Sequence, residues 1–391
     1  MGQSAGGASV GFHLIATQSW DYFHRGVMSS GNMMSPFGLE LDAEKARNDA
    51  FLVGRLAGCE DATDGKQLRD CLRQVDEGRL IAAANAALLT TTNVIPLVPV
   101  VDGEFITDEP RYLLQQKKFK MCDDMVGNTK DDGSLVAMRA YVDQILRIDP
   151  YSDYETFLDR VRRFTYTCTN DIIVNSIAQQ YVDWKDFDDP ATNYFYKYIE
   201  LITDETFHCP SEHVARVYAM SGMNVYRYFY TWRKPGTVSI PTWYGVGHGY
   251  DMPYVFNSDM NPSSNRTFNN KEMEFSVQMM KYYTNFAKTG NANLGSEFAP
   301  TFLWEPFTVP GLNILDQTPD FQAIPGDRAE YNAFWNDYLL QLVTFSGTFR
   351  NQFAPCTASL ILGLISFDED ANKSLKIIES IVLKSFTISY Q

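Results

Sequence analysis

The sequence predicts an α/β fold on three observations. Helical and strand-forming segments alternate along the chain, a small-residue turn of the strand-to-helix kind opens it, and glycine-bearing polar loops follow strand-forming stretches. Small side chains over residues 6–16 suit a helix packed closely on a sheet. Residues 23–30, ending at Gly31, read as a strand. Alanine- and leucine-bearing stretches predict helices over residues 41–57 and 65–72. Residues 97–103 read as a short extended piece, and residues 120–128 lead into a second strand. From 134 to 202 the pattern is helical, interrupted at Pro150 and Pro190. The aromatic and branched run over 225–232 predicts a further strand. No internal repeat and no low-complexity linker divides the chain.

Composition narrows the class of function. The 391 residues carry 33 basic against 48 acidic side chains, a formal charge of −15, which opposes binding to nucleic acid or to an anionic membrane surface. Apolar residues at 45% and aromatic residues at 14% supply a large core rather than a disordered segment. About eighteen apolar residues are needed to cross a bilayer, and the longest apolar run spans only residues 358–366. No membrane span is expected. The N-terminal residues have neither the charged nor the apolar segment of a signal peptide, and Gly6 replaces the Ser or Thr of a myristoylation pattern. Cys59 and Cys71 flank a polar stretch that a disulfide would close, stabilising by about 3 kcal/mol and implying an oxidising compartment. Asn265-Arg266-Thr267 and Asn372-Lys373-Ser374 fit the N-glycosylation pattern.

Gly2-Gln3-Ser4-Ala5-Gly6 fits G-x-S-x-G, a turn that holds a serine in a strained conformation with its hydroxyl exposed. Its glycines are expected because a Cβ at either would collide with neighbouring backbone; the competing reading is an ordinary small-residue turn. A serine nucleophile needs a base to take its proton, and the sequence has five histidines, His13, His24, His208, His213 and His248. His13 and His24 fall in a helix and at a strand start, where structural roles suffice. His208 and His213 flank Cys209 and Pro210, where a capping or surface imidazole is expected. His248 lies in Gly245-Val246-Gly247-His248-Gly249-Tyr250-Asp251, a glycine-rich loop beyond a strand, where a base has room to act. Asp131 and Asp132 stand after a strand and before Gly133. By themselves they would read as a solvated polar turn.

Together these segments resemble the type-B carboxylesterases and cholinesterases. The resemblance rests on Gly2 to Gly11 with Phe23 to Gly31, and on Val98-Pro99-Val100-Val101-Asp102-Gly103. It continues through Val126 to Ser134, Val246 to Asp251, Asn285 to Asn291 and Phe334-Trp335, all in the family's order. It implies an α/β-hydrolase fold over residues 1–342 and a serine esterase acting on a small carboxylic ester through an acyl-enzyme, with no cofactor. Ser4 would be the nucleophile, His248 the general base and Asp132, where most members carry glutamate, the acid that orients it. Ala5 would give a backbone N–H to the oxyanion hole, and Ser30 and Asp251 would stand behind the triad. Positions matching the acyl pocket and gorge carry Phe37, Asn93, Ile95, Leu135 and Val136, fewer aromatic side chains than in acetyl-selective cholinesterases, which implies a wider pocket for general esters. The resemblance also implies the Cys59–Cys71 disulfide, and Cys209 without its usual partner, since Asn332 stands at that place. A secreted enzyme is expected, its signal peptide lying ahead of this segment.

The same resemblance makes the strands before the elbow, and the glycine loop that completes the oxyanion hole, absent from these 391 residues. An incomplete, inactive sheet is therefore expected, with residues 343–391 as an extension of unknown structure. A non-catalytic, neuroligin-like adhesion or scaffold domain is the alternative, and retention of Ser4 and His248 argues against it. A lipase of the same superfamily would need an apolar lid.

Overall fold

A computed structural model describes residues 1–88, 97–144, 147–166, 170–187, 189–235, 240–257, 268–295 and 299–350. Asn93, Ile95 and both glycosylation patterns, with all but the first residues of the 343–391 extension, lie outside these. The fold is α/β, and the chain divides into two compact units, Met1–Asp123 and Asp124–Gln391.

In the first unit, strand β1 (Gly2–Gln3) runs into helix α1 (Ala5–Ile15) and pairs in parallel with β2 (Gly26–Ser29), Gly2 against Met28 and Gln3 against Ser29. The second strand is shorter than its sequence suggests, because Phe23 ends a 3₁₀ turn over Thr17–Tyr22. Helix α1 buries Ala8, Phe12, Leu14 and Ile15 on one side, the side that its small residues bring close to β2. Helix α2 (Ala43–Leu56) begins at Ala43 rather than at residue 41, because Asp42 caps it, and helix α3 (Gly65–Leu72) begins where predicted. Asp42 and Asp64 each accept two amide N–H groups of the first turn, satisfying donors that a helix start leaves unpaired. Helix α4 (Glu77–Leu88) packs Ala83 and Ala87 on Val53 and Ala57 of the α2 region, with Leu72 and Val75 closing the cluster. Helix α5 (Pro110–Gln115) carries proline at its first position, where the missing N–H costs nothing.

Cys59 and Cys71 form a disulfide that links the end of α2 to α3. Closing a loop with a sequence separation of 12 restricts the unfolded chain. We expect replacement of both cysteines by serine to lower stability by about 2–4 kcal/mol, read from urea unfolding with midpoint and slope both fitted. A midpoint that does not move would show the α2–α3–α4 cluster to be fixed by packing alone.

The second unit holds β3 (Asp124–Thr129), β4 (Val225–Tyr230) and β5 (Leu315–Gln317) as parallel neighbours, with β6 (Gln322–Ala323) antiparallel to β5. Every residue of β3 and of β4 is buried, the pattern of parallel strands covered on both faces. Between them run α6 (Ser134–Ala140), α7 (Tyr154–Phe164), α8 (Asp171–Tyr181), α9 (Phe195–Thr203), a π-turn over Asp204–His208 and α10 (Cys209–Met220). After β4 come α11 (Met252–Val255) and α12 (Asn270–Thr289); the latter is closed by an Asn269–Glu272 capping box and by Gly290 in the left-handed region. Helix α13 (Ala329–Ala333), a second π-turn (Phe334–Tyr338) and α14 (Leu339–Arg350) follow β6. Arg328 donates to both carboxylate oxygens of fully buried Asp204 and to Glu200, and Tyr181 donates to the same aspartate at 2.6 Å.

His208 corrects an expectation. It is neither capping nor exposed but fully buried beside the guanidinium of Arg227, which also donates to the His208 carbonyl at 3.3 Å and to Asn128 at 2.9 Å. Burial, with the Arg227 charge, pushes its pKa well below the ordinary histidine value, so it is neutral and accepts. The π-turn carries this imidazole inward toward β3 and β4. Among the described residues no helix is long and apolar enough to cross a membrane.

Candidate active site

In the first unit the serine turn has the backbone its motif demands. Ser4 sits at φ 58° and ψ −123°, a conformation costly for any residue with a Cβ, between β1 and the first turn of α1. Two contacts hold it there. Its amide donates to the Ser29 carbonyl at 2.8 Å, and its own carbonyl caps α1 through Ala8 N–H at 3.0 Å. Gly2 is sterically required, since a Cβ there would lie 2.0 Å from the Gly6 carbonyl oxygen. The matching expectation for Gly6 is overturned: among the described residues a Cβ on it meets nothing within 4 Å, because Gly6 contributes its carbonyl, not its Cα, to the close approach. Ala5 is the exposed first residue of α1, so its N–H is one of the amides that no helical carbonyl satisfies. Ser30 follows β2 directly, fully buried at φ 46°. Phe37 is also buried.

In the second unit, loops at the C-terminal ends of adjacent parallel strands bring distant residues together. β3 ends at Thr129 and β4 at Tyr230, and the Lys130 amide extends their ladder by donating to the Tyr230 carbonyl at 2.9 Å. Asp132, on the turn after β3, is fully buried; one carboxylate oxygen accepts the Thr129 amide at 2.8 Å and the other lies 2.8 Å from His248 Nδ1. The side chain of His248 is 10% exposed, and the ring of Phe207 packs against it at a centroid distance of 5.2 Å. The neighbouring acid does something different. Asp131 exchanges hydrogen bonds with the backbone of Val246, its amide donating to the Val246 carbonyl at 3.0 Å and its Oδ2 accepting the Val246 amide at 2.7 Å. Burial raises the Asp131 pKa above the ordinary carboxylate value, and the Val246 N–H opposes that rise.

The histidine loop is held at further points. Arg233 donates to the carbonyls of Ile240, Pro241, Thr242 and Gly245, the last at 2.6 Å. Gly245 sits at φ 61°, and a Cβ on it would meet the Asp131 Oδ2 at 2.2 Å, so both conformation and space exclude a side chain. Asp251 is fully buried and accepts from the Tyr228 hydroxyl at 3.2 Å. Leu135 is half-buried and Val136 buried at the start of α6.

Thus the structure joins Asp132 to His248 within the second unit, and gathers Ser4, Ala5 and Ser30 around the elbow within the first. Sequence reasoning missed the Asp131 contact, the Arg233 grip and the Phe207 ring. Only the paired aspartates carried any local signal for them. Cys209 is a buried thiol, and Asn332, at the position of its expected partner, donates instead to the Arg328 carbonyl at 3.0 Å. Among the described residues no group of three or more His, Cys, Asp or Glu side chains is placed to hold a metal ion.

A family model described as "Carboxylesterase family" matches residues 1–335. An acetylcholinesterase of Bungarus fasciatus is 33% identical over 344 residues, covering 88% of this chain and 55% of that protein. An acetylcholinesterase of Electrophorus electricus is 29% identical over 379 residues, covering 88% and 58% respectively. The chain therefore spans little more than half the length of these relatives.

Proposed function

Because the chain belongs to the carboxylesterase family, we propose that it carries the nucleophile, base and acid of a carboxylic ester hydrolase working through an acyl-enzyme. Ser4 Oγ attacks the ester carbonyl while His248 takes its proton. Ala5 N–H donates to the oxyanion that forms, and collapse of the tetrahedral species expels the alcohol with the proton returned by His248. Water then attacks the acyl group, again deprotonated by His248, and releases the acid and free Ser4. Asp132 keeps the Nδ1 proton of His248 in place and stabilises the imidazolium; Ser30 and Asp251 support the nucleophile and base from behind. The observation that carries this reading is the 2.8 Å contact between His248 Nδ1 and a carboxylate with no exposure to water. It is supported by the strained backbone of Ser4.

The substrate in this reading is an uncharged carboxylic ester rather than a choline ester. The resemblance puts Phe37, Asn93, Ile95, Leu135 and Val136 at acyl-pocket and gorge positions, and the scarcity of aromatic side chains among them supports an acyl group larger than acetyl. The Cys59–Cys71 disulfide supports an oxidising, extracellular setting.

The test is a fluorophosphonate probe followed by peptide mass spectrometry of the full-length protein. One adduct is expected per chain, on the peptide bearing Ser4. In parallel, p-nitrophenyl butyrate is expected to turn over at least as well as p-nitrophenyl acetate, and both better than acetylthiocholine. An adduct on another serine would remove Ser4 from the mechanism, and a strong acetylthiocholine preference would defeat the substrate assignment.

A further inference from the structure

We propose that Asp131 is a positioning residue for the base, its carboxylate fixing the loop that presents His248 by holding the Val246 backbone. The inference rests on the reading of His248 as the base. Two adjacent carboxylates on one turn divide the work. Asp132 meets the imidazole itself at Nδ1, and Asp131 meets the loop two residues earlier through a two-point exchange with Val246 at 2.7 and 3.0 Å. The loop needs such a hold. Gly245, Gly247 and Gly249 give it little intrinsic stiffness, and Gly245 and Gly249 both lie in the left-handed region. Gly245 also clears the space that the Asp131 carboxylate occupies, since a Cβ there would stand 2.2 Å from Oδ2. Glycine and aspartate are thus fitted to each other across a sequence separation of more than a hundred residues.

The hold acts on geometry rather than on chemistry. The Arg233 contacts end at the Gly245 carbonyl; beyond it Asp131 holds Val246, the Tyr250 amide donates to the Gly247 carbonyl at 3.2 Å, and Asp132 meets the ring. Without Asp131, the Val246 amide loses its acceptor and the loop can shift while Asp132 still reaches for the imidazole. A displacement near 1 Å at a reacting group costs about a hundredfold in rate.

In the full-length protein, Asp131→Ala is expected to lower kcat about a hundredfold with KM little changed. The amide hydrogen of Val246 should lose its protection, and the low-field NMR resonance of His248 Nδ1–H should broaden. Asp131→Asn keeps an acceptor oxygen toward Val246 and is expected to restore most of the loss. Amide exchange at Val246 in the unsubstituted protein tests the contact even if the alanine variant fails to fold, and slow exchange is expected. Fast exchange there, or an alanine variant with unchanged kcat and an unchanged His248 resonance, overturns the proposal. If His248→Ala still turned over ester while Asp131→Ala released the Val246 amide, the assignment of the base would fail and the hold on the loop would stand.

Discussion

Ser4→Ala in the full-length protein is expected to abolish fluorophosphonate labelling and to lower kcat for p-nitrophenyl esters by about six orders of magnitude, the scale seen when a triad nucleophile is removed. Stability should hardly move. The strain at Ser4 lies in its backbone, at φ 58° and ψ −123°, and alanine keeps the same Cβ and so the same strain. The contacts that fix the turn, Ser4 N–H to Ser29 and Ser4 carbonyl to Ala8 N–H, belong to the main chain and survive the substitution. An unchanged melting temperature with lost turnover would separate chemistry from folding. Turnover within tenfold of the parent would assign the nucleophile elsewhere and leave the elbow as a packing device. Ser4→Gly is the useful companion, since it relieves the positive φ and should raise the melting temperature slightly while remaining inactive.

Asp132→Asn should lower the esterase rate about ten-thousandfold. The reason is a conflict over one oxygen. The carboxylate of Asp132 accepts from two donors at once, the Thr129 amide on Oδ2 and His248 on Oδ1, each at 2.8 Å. An asparagine has a single acceptor oxygen. If that oxygen serves Thr129, the amide NH₂ faces Nδ1 and imposes the tautomer in which Nε2 carries the proton and cannot take one from the serine. If it turns to His248, the buried Thr129 N–H is left without an acceptor at about 1–3 kcal/mol. Asp131→Asn provides the control, because its acceptor faces a backbone amide and one oxygen suffices. Rate profiles and melting temperatures of the two variants check this: a large loss in Asp131→Asn with none in Asp132→Asn would move the orienting acid by one residue.

Local chemistry accounts for much that could be read in advance. The starts of α2 and α3 follow from Asp42 and Asp64, whose side chains cap helices within three residues of themselves. The serine turn follows from Gly2, whose clash partner Gly6 is four residues away. Each of these is a contact between near neighbours in the chain, so a short window of sequence contains both partners.

By itself, then, the sequence determined the α/β class, the serine turn, the pairing of Cys59 with Cys71, and the membership of Asp132 and His248 in one candidate set. The family resemblance named Asp132 as the acid facing the imidazole; only the tertiary structure decided what Asp131 holds, that among the described residues nothing crowds a Cβ on Gly6, and that His208 is a buried neutral partner of Arg227. The physical reason is separation. Asp131 and Val246, and Asp132 and His248, stand more than a hundred residues apart, and they meet because β3 and β4 pair in parallel and open their loops at the same end. A one-residue change in how the turn after β3 leaves the sheet would exchange the roles of the two carboxylates, and nothing in their identical side chains specifies that register; the Thr129 amide, which holds Asp132 through Oδ2, does.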